Sequence, residues 1–261
     1  MKQCIMIDLD GTLLKPDKTV GEKTKAVIRQ YKNDHQIVIS TGRPLPAVKE
    51  LLEELGLWEE GQYVVTYNGG RIDCLGRNPQ VLKNSQLDKE ELAPIWDFAK
   101  KEGLSFHLVN ESTMYYDKEN TDPFYRELNA KMEQVAMSQL PTGAFNKVVL
   151  VGDKEMLPLL AKKGQEELPQ YLWLQTMPNL LEVSSKEVGK EQALQFLQQE
   201  LGLKKEQMVA IGDEENDRLM LEQAGLGIAM GNAKPEIKKI ADVITTSNAD
   251  EGVAEAFLRW I

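Results

Sequence analysis

Apolar and polar positions follow two different rhythms along this chain. Up to about residue 80, short unbroken apolar runs alternate with stretches at helical spacing. The runs are 4–7, Gln36–Ser40 and 63–67. Between them Val20, Thr24, Val27, Ile28 and Tyr31 form one helical stripe. Leu45, Val48, Leu51, Leu52 and Leu55 form another, closed by Gly56. Unbroken apolar runs bounded by turn residues predict strands buried on both faces, as in a parallel sheet. Strand–helix–strand–helix–strand is the order of a doubly wound α/β fold, with a mostly parallel sheet.

The rhythm changes after Asn68-Gly69-Gly70, a turn signal, and the short extended stretch Arg71-Ile72-Asp73. The pattern predicts a strand over 80–86 and a helix capped by Asp88 and running to 101. It then predicts a hairpin over 104–109 and 114–116, a helix over 121–137, a strand over 147–151, a helix over 155–167 and a strand over 171–176. Crowded strands with few helices describe an α+β unit with a mostly antiparallel sheet. From 187 the first rhythm returns. Helices are predicted over 187–201, 214–224, 235–240 and 250–261, and strands over 208–212, 226–230 and 241–245. The expected organisation is a core made of 1–82 and 185–261, interrupted by an inserted α+β domain at 83–184.

Charge narrows the partners. The 261 residues carry 41 Asp and Glu against 31 Lys and Arg, a net charge of −10. That disfavours nucleic acid and anionic membranes, but not anionic substrates, because a cation can reverse the local sign. The two cysteines, Cys4 and Cys74, make no disulfide framework, and Cys4 sits in a predicted buried strand. No apolar run reaches membrane-spanning length, and no leader pattern precedes the first strand. A cytoplasmic protein, monomeric or a weak homodimer, is expected.

Chemistry gathers where predicted strands end. Asp8 closes the first apolar run, and Asp10, Gly11 and Thr12 follow at once. Thr41-Gly42-Arg43-Pro44 ends the second strand and opens a helix. A hydroxyl and free amides at that point can hold an anion, although a plain cap has the same form. Lys190 lies on the inward stripe of its helix, three and four residues before Ala193 and Leu194. An ammonium there must pair with an anion or lose its charge, unless its stem snorkels to solvent. Asp213 stands just past a strand as Asp8 does, with Asn216 and Asp217 one turn later. Several carboxylates at one sheet edge call for a hard divalent cation, and all-oxygen ligands fit Mg2+. With a lysine and a hydroxyl to bind phosphoryl oxygens, these are the parts of phosphoryl transfer through an aspartyl-phosphate.

The ordered set Asp8-Leu9-Asp10-Gly11-Thr12, Ser40-Thr41-Gly42, Lys190 and Gly212-Asp213 with Asn216-Asp217 resembles the four motifs of the haloacid dehalogenase (HAD) superfamily. The similarity is greatest to its Cof-like phosphohydrolases, which carry a type IIB cap between the second and third motifs. The resemblance implies a Rossmann-like core with Asp8 as nucleophile and magnesium ligand. It implies Asp10 as acid and base, with its backbone carbonyl on the metal, Asp213 as the other side-chain ligand, and Asp217 in support behind it. Thr41, Lys190, Asn216 and the amides of Leu9 and Gly42 would hold the phosphoryl group. Arg43, Asn68 and residues of the inserted domain would face the leaving group of a small phosphorylated metabolite, such as a sugar phosphate. Tyr116, Arg126 and Asn179 are candidates for that domain's contribution.

Two departures from the family pattern stand out. Around Lys190 the chain reads Lys186-Glu187-Val188-Gly189-Lys190-Glu191, which makes Lys186 a competitor for the third motif. Glu214-Glu215 is more acidic than the pair usual at that point. Asp10 suits both hydrolysis and a phosphomutase or other phosphotransferase, and a catalytically idle regulatory module on the same fold is the reading from outside enzymology. His35 and His107 are expected to be structural rather than catalytic.

Overall fold

The opening strand, β1 (Cys4–Asp8), is buried at every position. It comes from a computed structural model that describes residues 2–110, 113–116, 131–134 and 144–261. Helix α1 (Glu22–Tyr31) buries Thr24, Val27 and Ile28, and β2 (Gln36–Ser40) follows, again buried throughout. Helix α2 (Lys49–Leu55) is preceded by a 3-10 turn at Leu45–Ala47 and ends on Gly56. Gly56 has φ +71°, the left-handed conformation that closes many helices. Then come β3 (Tyr63–Thr66), β4 (Arg71–Cys74) and β5 (Gln80–Asn84).

In the inserted stretch, Asp88 caps α3 (Lys89–Lys101) in a reciprocal capping box with Glu91. β6 (Ser105–Val109) and β7 (Thr113–Tyr116) pair antiparallel. Of the helix expected over 121–137, residues 131–134 are described, and they form strand β8 (Lys131–Gln134). It pairs parallel with β7. The backbone groups of β7 offer a ladder at that point, and long-range pairing overrides a weak local helical pattern. The rest of the expected helix lies outside the described residues, as does Arg126. Strand β9 (Lys147–Val151), helix α4 (Leu157–Glu167) and β10 (Tyr171–Met177) occur near their expected places. A further strand, β11 (Leu180–Ser185), is absent from the sequence expectation. Met177 pairs with Leu180, so Pro178-Asn179 is a two-residue turn.

The returning segment starts later than expected. Helix α5 (Lys190–Glu200) begins at Lys190 itself, because the turn at Ser185–Val188 and extended Gly189 precede it. β12 (Met208–Gly212) is fully buried, and α6 (Arg218–Gln223) follows a 3-10 turn at Glu215–Asp217. β13 (Leu226–Ala229), α7 (Pro235–Ile240), β14 (Val243–Ile244) and α8 (Gly252–Trp260) complete the chain. Among the described residues no helix is long and apolar enough to cross a membrane.

The chain divides into two units, Met1–Lys83 with Gly189–Ile261, and Asn84–Val188. The first is built on an eight-stranded sheet in the order β14-β13-β12-β1-β2-β3-β4-β5. Its strands from β14 to β3 run parallel, and β4 reverses. Neighbouring β1 and β12 are far apart in sequence, so the strand order switches direction between them, where α/β sheets place their sites. The second unit holds a six-stranded sheet, β10-β11-β9-β6-β7-β8, antiparallel except between β7 and β8. Its own core gathers Leu92, Ile95 and Phe98 of α3 with Leu150, Leu157 and Trp173.

Candidate active site

The parallel register puts the candidate side chains on one sheet edge. Cys4 to Ile7 lie beside Met208 to Ile211, and Asp8 lies beside Ser40. Asp8 therefore ends its strand level with the ends of β2 and β12, and Thr41 and Asp213 follow directly on those two. All three residues are buried.

Lys190 ties this edge together. It is only 1% exposed. Its Nζ donates to Asp8 Oδ1 at 2.5 Å and to Asp217 Oδ1 at 2.6 Å. Burial works against the ammonium, but the charges of Asp217 and Asp8 outweigh it and hold Lys190 above its ordinary range. Asp217 is fully buried, and its Oδ2 accepts the backbone N–H groups of Asp213 at 3.0 Å and Glu214 at 3.1 Å. Gly212 makes room for it, since a Cβ there would come within 2.5 Å of the Asp217 carboxylate carbon. Lys186, the competing lysine, lies in the other unit.

The carboxylates outnumber the charge that meets them. One oxygen from each of Asp8, Asp213 and Asp217 falls within 4.8 Å of the others, against the single ammonium of Lys190. Burial, then the nearby charge of Asp217, pushes the Asp8 carboxyl well above the usual range, and Lys190 only partly offsets this. The Asp213 carboxyl is pushed up to about 6, chiefly by burial, with Asp217 and Glu214 adding to it and the Thr12 hydroxyl opposing. Thr12 Oγ1 donates to Asp213 Oδ1 at 2.7 Å. Asp217 Oδ2 already accepts two amides and its Oδ1 the Lys190 ammonium. Among the described residues no oxygen of Asp8 or Asp213 accepts more than one hydrogen bond, so these two keep lone pairs for a cation. An all-oxygen, net-negative, buried donor set fits a hard divalent ion.

Asp10 occupies a different environment. Arg43 grips it bidentately, Nε to Oδ2 at 2.8 Å and Nη2 to Oδ1 at 2.6 Å, and Lys18 Nζ reaches Oδ1 at 3.0 Å. Partial burial pulls the carboxyl upward, but these two cations outweigh it and hold Asp10 below its usual range. Arg43, expected to face a leaving group, is here the partner of Asp10. Asn68, expected in the same role, accepts from Asn216 Nδ2 at 3.1 Å. Tyr67 and Asn68 both have positive φ, +52° and +55°, a strained conformation kept by the Tyr67 N–H on Arg43 O at 3.3 Å and the Asn68 N–H on Thr41 O at 2.9 Å. Gly69 follows at φ +94°, where a Cβ would come 2.0 Å from the Gly189 carbonyl oxygen. The loop thus packs against the residue that precedes Lys190. Thr41 Oγ1 accepts the Arg43 N–H at 3.2 Å, Gly42 lies against the Asn68 amide, and Leu9 is buried directly after Asp8. Of the residues proposed for the inserted domain, Tyr116 ends β7 and Asn179 forms the β10–β11 turn.

Two asparagines escaped the sequence reading. Asn232 Nδ2 donates to the Gly11 carbonyl at 2.8 Å and lies 3.4 Å from Asp213 Oδ2. Its Oδ1 accepts Asn248 N–H at 2.9 Å, and Asn248 Nδ2 donates to the Leu14 carbonyl at 2.7 Å. Both follow the ends of parallel strands, β13 and β14. That position was the available signal, since loops at that edge carry function in such sheets.

A family model for haloacid dehalogenase-like hydrolases matches residues 5–257. The 5-amino-6-(5-phospho-D-ribitylamino)uracil phosphatase of Bacillus subtilis is 29% identical, over 98% of this chain and 95% of its own. An HMP-PP phosphatase of Escherichia coli is 31% identical, over 91% and 87% respectively. A solved haloacid dehalogenase-like hydrolase from Bacteroides thetaiotaomicron has the same fold across 100% of both chains, with a TM-score of 0.87 and 28% identity. In sequence over nearly its whole length, and in fold, this chain belongs to the haloacid dehalogenase-like hydrolase family.

Proposed function

We propose that the protein is a magnesium-dependent phosphatase that hydrolyses small phosphomonoesters through an aspartyl-phosphate on Asp8. The observation that carries this reading is the buried Lys190 ammonium, locked between Asp8 and Asp217 at the end of β1, with Asp213 in the same carboxylate cluster. Asp8, Asp213 and the Asp10 backbone carbonyl would hold Mg2+. When bound, the ion supplies positive charge that keeps Asp8 ionised and offsets the charge of the phosphoryl oxygens.

The chain's own residues do the rest. Lys190, Thr41, Asn216 and the Leu9 and Gly42 amides orient the phosphoryl group for in-line attack by an Asp8 oxygen on phosphorus. The bond from phosphorus to the ester oxygen breaks, and Asp10 gives its proton to the departing alkoxide. Asp10 then takes a proton from water, whose oxygen attacks the same phosphorus and releases phosphate and free Asp8. Asp10 cannot act while Arg43 and Lys18 hold it ionised. An entering phosphate dianion competes for the Arg43 guanidinium, so Asp10, released from that pair and facing the added negative charge, takes up a proton from solvent and turns toward the leaving group. The phosphatase names of the relatives favour water over a second hydroxyl as acceptor. A phosphorylated sugar or polyol is the proposed substrate class, in line with the ribityl phosphate named for the Bacillus subtilis relative.

Hydrolysis of p-nitrophenyl phosphate tests the reading. Turnover should require Mg2+, vanish in excess chelator, and recover poorly with Ca2+, which is larger and less strictly octahedral. Undiminished turnover in chelator would sink it. Binding should also be pH-linked, because protons compete with the ion for the carboxylates. The rise in Tm on adding Mg2+ should shrink as pH falls through about 6, where Asp213 takes up its proton in the metal-free protein.

Asp10→Asn separates the two half-reactions. p-Nitrophenolate leaves without needing a proton, so phosphoryl transfer to Asp8 should persist in this variant. Hydrolysis of the intermediate lacks its base, and a covalent phosphoenzyme should accumulate in rapid-quench experiments. A variant that turned over without such accumulation would take the base role away from Asp10.

A further inference from the structure

We propose that Asn232 is a positioning residue for the cation site, holding Asp213 and the backbone around Asp10 at a fixed separation. This rests on the metal-dependent reading above. Asn232 is exposed, and an exposed asparagine ordinarily leaves its amide to water. Here the amide spans three loops that are remote in sequence. Nδ2 donates to the Gly11 carbonyl at 2.8 Å and stands 3.4 Å from Asp213 Oδ2, while Oδ1 accepts the Asn248 N–H at 2.9 Å. Gly11 is the residue after Asp10, whose carbonyl is a proposed ligand, and Asp213 supplies a proposed carboxylate ligand. One amide group therefore touches the two segments that must keep a fixed spacing for an ion of strict geometry.

The approach of those segments is close. Gly11 has φ +89°, and a Cβ at that position would come 2.3 Å from Asp213 Oδ2. Thr12 Oγ1 already fixes the other Asp213 oxygen at 2.7 Å. Thr12 and Asn232 thus hold one oxygen each, so the carboxylate cannot rotate freely. Asn232 is anchored in turn, because the neighbouring Gly231 N–H donates to Thr246 O at 3.0 Å. Outer residues that orient ligands in this way typically change metal affinity by about 10–100-fold when removed.

Asn248 provides the control. Its side chain bonds the Leu14 carbonyl, and its backbone N–H, which survives substitution, still holds Asn232. The experiment measures Mn2+ binding by the electron paramagnetic resonance signal of free Mn2+, in chelator-stripped wild type, Asn232→Ala and Asn248→Ala. Tm in chelator is recorded alongside. Asn232→Ala should weaken Mn2+ binding by about 10–100-fold. It should also raise the Mg2+ concentration needed for half activity while leaving kcat at saturating Mg2+ near that of the wild type. Asn248→Ala, which loses its bond to the Leu14 carbonyl, should lower Tm yet bind Mn2+ like the wild type. Equal Mn2+ affinity in wild type and Asn232→Ala would overturn the inference, as would equal weakening in both variants, which marks a role in stability alone. A wild type that binds no Mn2+ would remove the metal reading and the inference with it. Asn232→Leu, which keeps the volume without the donor, takes the place of Asn232→Ala if that variant folds poorly.

Discussion

Asp8→Asn should abolish turnover, by on the order of 10^4-fold or more, because it removes the atom that attacks phosphorus. The loss should come without a loss of stability. In the metal-free protein burial and Asp217 already work against an ionised Asp8, and a neutral asparagine of the same shape relieves that repulsion. Lys190 keeps Asp217 as its partner. The variant should therefore show an unchanged or higher Tm in chelator, together with a smaller rise in Tm on adding Mg2+. Steady-state assays with p-nitrophenyl phosphate and thermal melts on the same samples check both halves. A variant that lost activity because it was unfolded would give a lower Tm instead, and a variant that kept activity would remove Asp8 from the chemistry.

Lys190→Met should be costly in both respects. It leaves Asp217, fully buried, facing Asp8 with only amide donors to meet its charge. Breaking a buried pair from one side costs about 3–5 kcal/mol, since the stranded charge remains. In the proposed mechanism phosphate binding also loses its cation. Adding Asp217→Asn should restore part of the stability, because the stranded charge is gone, and none of the activity. Denaturant unfolding of the two single variants and the double variant measures the coupling directly. Additive losses would mean that the ion pair carries no such weight. Lys190→Arg should not rescue, because a planar guanidinium cannot take the place of a compact ammonium between two carboxylates 2.5 and 2.6 Å away.

The parts of the site on strand ends could be read from the chain, because buried parallel strands write themselves as apolar runs with abrupt polar ends. Asp8, Thr41 and Asp213 each follow such a run, and Lys190 stood out as a charge on an apolar stripe. What could not be read was set by partners distant in sequence. Strand β8 has no strand pattern of its own and exists as an added partner of β7. Strand β11 was legible in principle, since Leu181 and Val183 alternate with Glu182 and Ser184 and Pro178-Asn179 marks a turn. The pairing of Arg43 with Asp10 spans 33 residues, and that of Asn232 with Gly11 spans 221, so no local rule announces either. Both lie in loops that follow parallel strands, where position at the sheet edge is a signal but the partner is not.

In the proposed mechanism phosphoryl transfer passes through a covalent bond to Asp8. Wild-type protein mixed with 32P-labelled p-nitrophenyl phosphate and Mg2+, quenched in acid within its first turnover and digested, should yield one labelled peptide. That peptide should be the one spanning β1, with the label on Asp8 as an acyl phosphate sensitive to hydroxylamine. Label on Asp10, or burst-free turnover with no acid-stable label under conditions where Asp10→Asn also traps none, would contradict the account.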